Sequence, residues 1–401
     1  MRIIADLHLH SRYSRATSKD TDLEHLADGA RLKGLDLLVT GDFTHPLWFT
    51  ELKSKLEPCA EGIFSYRGMK WILGVEVSTI YRQDERTRKV HHLIYAPDFE
   101  VVEQIRDLLS KYGKLSSDGR PVLTGIDSAE LVERLDSISK GVVVIPAHAW
   151  TPWFGILGAK SGFGSLEECY KDQASRVFAL ETGLSSDPGL NWRLSALDRI
   201  ALISNSDAHS PNPWRLGREA NVFSLSRLSY SELFGAIKAK DPARFLYTLE
   251  VDPAYGKYHF SGHSKCGVSM SPDESKKTGN RCPKCGRQLT SGVLQRVEEL
   301  ADRPEGYIPA HAIPFRRLFP LYEVISYATG VKRLYVRRVL EKQDQLIKAF
   351  GSEFEVLLAV PHEAIAKVAG ATVADAVMAA REDRVSVTPG YDGVYGIPHF
   401  T

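Results

Sequence analysis

Asp6-Leu7-His8-Leu9-His10-Ser11, preceded by the apolar run Arg2-Ile3-Ile4-Ala5, decides how the rest of the chain is read. Residues 2–5 have the make-up of a short buried strand, and the polar residues begin where that strand should end. Side chains two apart on a strand point to the same side. His8 and His10 can therefore present two imidazoles to one point, as a grip on a metal ion. One such pair also arises by chance; a pattern repeated along the chain does not.

It does recur. Leu35-Asp36-Leu37-Leu38-Val39-Thr40-Gly41 runs into Asp42, and Trp71-Ile72-Leu73-Gly74-Val75 into Glu76. Lys89-Val90 meets His91-His92, and Val142-Val143-Val144-Ile145-Pro146-Ala147 ends at His148. Val177-Phe178-Ala179-Leu180 ends at Glu181, and the run from Ile200 to Ser206 ends at Asp207-Ala208-His209. With the first, seven apolar runs each stop at a His, Asp or Glu. A strand must leave the core somewhere, which accounts for any one of these but not for the set.

Helical patterns separate the runs. Residues 22–32 carry apolar side chains at 23, 26, 27 and 30 with Gly34 as a stop, and residues 101–109 and 128–135 read the same way. Strands alternating with helices predict parallel strands covered by helices. Ligand-type residues at the ends of seven strands predict a barrel over residues 1–250, with its site at the open mouth. No Gly-rich loop follows the first strand, which excludes a nucleotide-binding doubly wound sheet.

The chain has 401 residues, 43% hydrophobic and 25% charged, with a formal net charge of +1. That length allows two or three domains. The charge removes whole-chain basicity as a sign of nucleic-acid binding and leaves local patches to carry it. No apolar run is long enough to span a membrane. Met1-Arg2 leads directly into the first strand, so the expectation is no signal peptide and a cytoplasmic location. No Gly-x4-Gly-Lys-[Ser/Thr] loop is present, which excludes an ATP-driven helicase. Five cysteines are too few and too scattered for a disulfide scaffold.

Two insertions stand beside the ligand-type residues. The stretch from Trp150 to Gly164 follows His148 and holds Trp150, Trp153, Phe154 and Lys160. It reads either as a packed loop closing the mouth or as a platform on which a base stacks. The second, from His209 to Arg218, carries Arg215 and Arg218, whose guanidinium forks suit phosphate oxygens.

From about residue 251 the composition changes. His263-x2-Cys266 and Cys282-x2-Cys285 are two knuckles of a tetrahedral structural zinc site, giving a zinc-finger-like module at 251–292. His259 is the alternative to His263. Residues 293–401 are helical and more basic, with Arg316-Arg317, Lys332-Arg333 and Arg337-Arg338 around an apolar face of Leu334, Val336, Val339 and Leu340. Two short amphipathic segments are expected between 352 and 380, and the end of the chain is turn-rich. A helical DNA-binding domain is the expectation.

The ligand set resembles that of the PHP (polymerase and histidinol phosphatase) family over residues 1–250. That resemblance implies an α/β fold, a distorted (βα)7 TIM-like barrel, with a metal cluster, usually of three ions, at its mouth. It implies one ion held by His8, His10, Glu76 and Asp207 and a second by Glu76, His92 and His148, with Glu76 as the bridge. A third would rest on Asp42 and His209. His8, His10, Glu76 and Asp207 are the implied catalytic core, and the ions would be zinc, magnesium or manganese. Two positions depart from the pattern: Gly41-Asp42-Phe43 lacks a histidine after the acid, with His45 as an alternative, and Ser14-Arg15-Ala16-Thr17 holds none. His91 and His92 compete for one position, and the residue immediately before Leu93-Ile94 is taken.

A wider stretch is similar to the endonuclease Q family: Asp6 to Ser14, the insertion at 151–163, Ser206 to His209, the zinc module, and Arg296 to Pro304. That similarity spans essentially the whole chain. It implies a metal-dependent DNA-repair endonuclease that nicks 5′ to deaminated bases (uracil, hypoxanthine, xanthine) and abasic sites by metal-activated water. The damaged nucleotide would be flipped into a pocket. Clustered divalent ions activate water and clamp a phosphoester, which suits mixed carboxylate and imidazole ligands. Two alternatives are a small-molecule phosphatase on the same barrel, which leaves residues 251–401 without a role, and a non-enzymatic nucleic-acid binding module. A sliding clamp is a further candidate partner, which no short motif supports.

Overall fold

The computed structural model describes residues 1–331 and 336–400. Its first part is a distorted α/β barrel. The barrel strands are β1 (Arg2–Asp6), β2 (Leu37–Val39), β3 (Met69–Gln83), β4 (Arg86–Ala96), β5 (Val143–Pro146), β6 (Ala179–Glu181), β7 (Ala201–Ile203), β8 (Ala220–Ser224) and β9 (Phe245–Glu250). β1, β2 and β3 run parallel, as do β6 and β7.

The all-parallel course expected from the sequence fails at two places. β4 is antiparallel to both β3 and β5, and β8 is antiparallel to β1 and β9. The first departure has a local cause. Asp84 and Glu85 both lie at positive φ (51° and 60°), the backbone of a tight two-residue hairpin turn, which can only join antiparallel strands. The β3–β4 hairpin is long and carries a wall of chain beyond the mouth.

Helices α1 (Leu23–Lys33), α2 (Phe99–Leu109), α3 (Ser128–Ile138) and α4 (Tyr230–Ala239) cover the barrel. Each starts on a side chain that accepts an otherwise unpaired backbone N–H: Asp22, Asp98, Asp127 and Ser229. α1 ends at Gly34, whose φ of 95° other residues resist. Its inner face is Leu23, Leu26, Ala27 and Ala30, all fully buried. That face is the one the sequence periodicity marks.

A hairpin of Ser261–His263 with Val268–Met270 opens the zinc module, which has its own small core of Val268, Cys282 and Leu289. The chain then returns to the barrel. The helix Val293–Leu300 and strand β10 (Phe315–Arg317) lie against it, β10 pairing parallel with β9. Ion pairs Arg193–Glu298, Asp198–Arg303 and Asp187–Arg317 fasten this stretch. The helical bundle proper starts at Leu321 and holds Leu321–Ala328, Arg337–Phe350, Glu353–Leu358, His362–Ala369 and Ala371–Arg381. Three helices stand where two segments were expected after 352, because Pro361 opens one helix and Gly370, at φ 95°, separates the next pair. A hairpin, Val385–Thr388 with Ile397–Phe400, closes the chain. Lys332, Arg333 and Leu334 lie outside the described residues. Among the described residues no helix is long and apolar enough to cross a membrane.

Candidate metal centre

The last residue of β1, Asp6, is buried and takes no part in the cluster. Its carboxylate accepts from the Ser206 N–H and hydroxyl and from the Gly217 N–H, tying the first motif to the last. Leu9 bridges Ala208 and His10 N–H donates to Ala208 O, so both motifs run side by side into the mouth. Leu7 and Leu9 point into the core, which turns His8 and His10 together to the other side.

Each of these imidazoles is held from behind. His8 Nδ1 lies 3.0 and 3.1 Å from the two Glu181 oxygens, and His10 Nδ1 lies 3.0 Å from Asp42 Oδ1. A carboxylate only accepts, so Nδ1 of each ring donates its proton there, and an ion bound at Nε2 would take that nitrogen's lone pair. Those two Nε2 atoms and Asp207 Oδ1 are buried and have no hydrogen-bond partner. His8 Nε2 lies 3.6 Å from Glu76 Oε2 and 3.5 Å from Asp207 Oδ1; His10 Nε2 lies 3.2 and 3.1 Å from the same atoms. Ligand atoms around a tetrahedral ion with bonds of about 2.0–2.2 Å lie about 3.3–3.6 Å apart. Orphaned buried donors at that spacing fit a metal ion, and buried polar atoms without partners are otherwise costly.

A second group shares Glu76. Its Oε1 lies 2.6 Å from His91 Nδ1 and 2.9 Å from His148 Nε2, and these two nitrogens are 3.1 Å apart. Glu76 therefore directs one oxygen to each group. His91 takes the place expected of His92. The register explains the difference: Glu76 stands opposite Leu93 and Ser78 opposite His91, so His91 shares the Glu76 face. His92 stands opposite Val77 and turns outward, where Tyr170, Thr79 and Ser128 surround its ring.

Asp42 and His209 join neither group. Asp42 is spent on His10, on the Ser11 N–H and hydroxyl, and on the Ser14 hydroxyl, so it orients a ligand instead of serving as one. His209 Nδ1 bonds the Asp207 carbonyl, and its ring lies 4.5 Å from that of His10. His45 packs its ring on Tyr13 and does not replace them. Among the described residues two barrel groups converge, not three. Asp42, His148 and Asp207 all adopt positive φ (47°, 28° and 47°), a strain that persists where surrounding structure enforces it and that clusters at functional sites.

Electrostatics follow from this crowding. Burial works against every charge here, yet the facing His8 and His10 hold the Asp207 carboxyl well below the usual range. His91 and Arg120 do the same for Glu76. Burial pulls the His91 imidazole down to about 4, which leaves it neutral and able to donate a lone pair.

Two residues at the site were not foreseen as such. Glu181, expected only as a strand end, holds His8, the His148 N–H (2.7 Å) and Asn205 Nδ2 (2.8 Å) on one carboxylate. Arg120 donates from Nη1 to Glu76 Oε2 at 3.0 Å. No periodicity marks it, because it rides on the loop Asp118-Gly119-Arg120-Pro121.

The expected substrate residues separate. Trp150 is buried and bonds Asn191, so it is core and not a platform. Phe154 lies 4.3 Å from the His91 ring and backs that ligand. Trp153 is exposed and packs edge-on against Tyr258. Both line a cleft of about 260 Å³ with His148, Asp207, Lys257 and Tyr395. Lys160 is exposed on the insertion, and Arg215, half-buried, faces Glu323 of the helical part. At the other site His263, Cys266, Cys282 and Cys285 converge, with Cys285 Sγ 3.4 Å from His263 Nδ1. His259 is buried against Phe260 away from them.

Comparison with known proteins places this geometry. A family model described as the MJ0043 C-terminal domain matches residues 320–384, which begins where the helical bundle begins. The uncharacterized protein YqxK of Bacillus subtilis is 30% identical over 98% of both chains. The uncharacterized protein MJ0043 of Methanocaldococcus jannaschii is 33% identical over 62% of this chain but only 31% of its own length, so the chain spans about a third of that relative. The crystal structure of the lesion-specific endonuclease PfuEndoQ from Pyrococcus furiosus superposes with a TM-score of 0.89 at 35% identity, covering 100% of this chain and 96% of that one. A structure of endonuclease Q with a 27-mer duplex carrying an abasic lesion at its active site gives the same score and identity, covering 100% and 97%. With full-length coverage at 35% identity, the chain belongs to the endonuclease Q family.

Proposed function

We propose that this endonuclease incises DNA on the 5′ side of a deaminated base (uracil, hypoxanthine or xanthine) or an abasic site and leaves the damaged residue in the strand. The observation that carries the reading is the pair of ligand groups sharing Glu76, with three buried ligand atoms that have no partner inside the protein. Two divalent ions held there would supply water activation and charge neutralisation at the phosphodiester. His8, His10, Glu76 and Asp207 would hold one, and Glu76, His91 and His148 the other. Glu181 and Asp42 fix the tautomers of His8 and His10 and so aim their lone pairs. Zinc, magnesium and manganese all accept such donors, and a structural zinc suits His263, Cys266, Cys282 and Cys285.

Trp153, Tyr258, Tyr395 and Lys257 border the cleft beside this centre. Aromatic faces and a cation suit a nucleotide extruded from the helix, which is cheapest where pairing is already weak.

The test is a 5′-labelled duplex with a single deoxyuridine or abasic site, incubated with wild type and Asp207→Asn in magnesium or manganese. A nick 5′ to the lesion that the variant loses is the expected result. An uncut duplex, together with phosphate released from a monoester, would replace this reading with a small-molecule phosphatase.

A further inference from the structure

Arg120 is the one cation whose guanidinium reaches the metal groups among the described residues, and its loop is built to hold it there. Gly119 N–H donates to Tyr13 O, Thr44 hydroxyl to Gly119 O, and Ser78 N–H to Pro121 O, so the residues on both sides of Arg120 are pinned to barrel loops. A Cβ at Gly119 would run into the Asp42 carboxylate and the Ser14 hydroxyl, both already engaged around His10. The loop therefore approaches the first ligand group as closely as backbone allows. Asp118 accepts from the Arg120 N–H at 3.2 Å and pairs with Arg15.

From this anchor Nη1 reaches Glu76 Oε2, the oxygen that the first group shares, at 3.0 Å. Among the described residues Nη2 and Nε have no hydrogen bond, and the side chain is 28% exposed, so two donors of the fork are left for a ligand. The third cation position that the sequence pattern suggests lacks its ligands, because Asp42 and His209 are turned elsewhere.

We propose that Arg120 binds a non-bridging oxygen of the scissile phosphate and supplies the fixed positive charge for which related barrels are expected to use a third ion. This rests on the phosphodiesterase reading above. A guanidinium suits that task, since it stays charged and presents planar paired donors to a phosphate. It also costs no reorganisation when negative charge builds on the oxygen.

The experiment compares wild type, Arg120→Gln and Arg120→Lys on two substrates, a deoxyuridine duplex and bis(p-nitrophenyl) phosphate, with metal content measured by elemental analysis. Arg120→Gln should lower the turnover of both by about 10²-fold or more with metal content unchanged. Arg120→Lys should recover part of the loss. Replacing the scissile phosphate of the duplex by an uncharged methylphosphonate should bring wild type and Arg120→Gln close together. Loss of metal in parallel with activity would reduce Arg120 to a support for Glu76 and overturn the proposal, as would equal rates in all three proteins. If the duplex stays uncut while the small diester still separates the variants, the lesion reading falls and the Arg120 assignment stands.

Discussion

His91 and His92 show what a single residue position decides. They are neighbours in sequence and both buried, yet one faces Glu76 and the other faces Tyr170. The choice between them is set by strand parity, and parity is set by the partner strand through the β3–β4 register, so the sequence of β4 alone does not contain it. Different consequences follow from removing each ring. His91→Ala should lose metal and activity while keeping its melting temperature within a few degrees. His92→Ala should keep the ligand groups but destabilise the fold by about 2–3 kcal/mol, the cost of a cavity and of unpaired hydroxyl groups around it. Metal content and thermal unfolding of the two variants, run together, check this. Identical behaviour of the two would contradict the assignment.

At the scale of elements, the ends of the strands were legible and their directions were not. The apolar runs before His8, Asp42, His148, Glu181 and Asp207 do stop at the mouth, because the barrel core needs the first part of each run and the ligand groups need the last; β3 instead runs on from Glu76 to Gln83 and carries that carboxylate mid-strand. The reversal at β4 depends on two residues, Asp84 and Glu85, neither of which is a glycine that would have announced the turn. Missing from any sequence reading is the pair of buried carboxyls behind the site. Glu250, on β9, accepts from Thr248, Ser204 and Thr182, and Val251 N–H donates to Glu219. Burial is the first cause that pushes the Glu250 carboxyl up, to about 8, and it pushes Glu219 upward as well. A carboxyl whose folded pKa exceeds its unfolded value stabilises the fold below the unfolded pKa, and that contribution is lost as pH rises through the folded one. Stability should therefore fall between about pH 4.5 and pH 8 from this cause. Glu250→Gln, which imitates the protonated form, should flatten that slope and be the more stable protein at pH 8, on the order of 1–4 kcal/mol. Urea titrations of both proteins at pH 5 and pH 8 read this out; an unchanged slope in the variant would show that Glu250 is already ionised across the range.

Across the whole molecule, the helical part is fastened to the barrel by a buried ion pair that composition and periodicity give no hint of. Lys33, at the end of α1, lies 2.6 Å from Glu353 and also donates to Pro213 O in the loop that follows Asp207 and His209. Glu353 in turn accepts from the Leu321 N–H and from Gln343. Lys33 and Glu353 are separated by most of the chain, and only the fold brings them together. Removing one partner strands the other charge in the interior, so Glu353→Ala should cost about 3–5 kcal/mol. Denaturant unfolding followed by tryptophan emission measures the loss, and a loss below about 1 kcal/mol would mean that the pair is hydrated in solution. The convergence of His263, Cys266, Cys282 and Cys285, by contrast, was legible from their spacing, since both knuckles are local and need only one hairpin to meet.

Glu76 stands in both ligand groups and would bridge two barrel ions. The most direct measurement is the number of divalent ions retained per chain by wild type and Glu76→Gln after dialysis against trace metal. The expectation is three in wild type, two in the barrel and one on the cysteines. The variant should keep the cysteine-bound ion alone and fail to nick a lesion duplex. A Glu76→Gln protein that retains either barrel ion at full occupancy and still incises would contradict the shared-carboxylate centre.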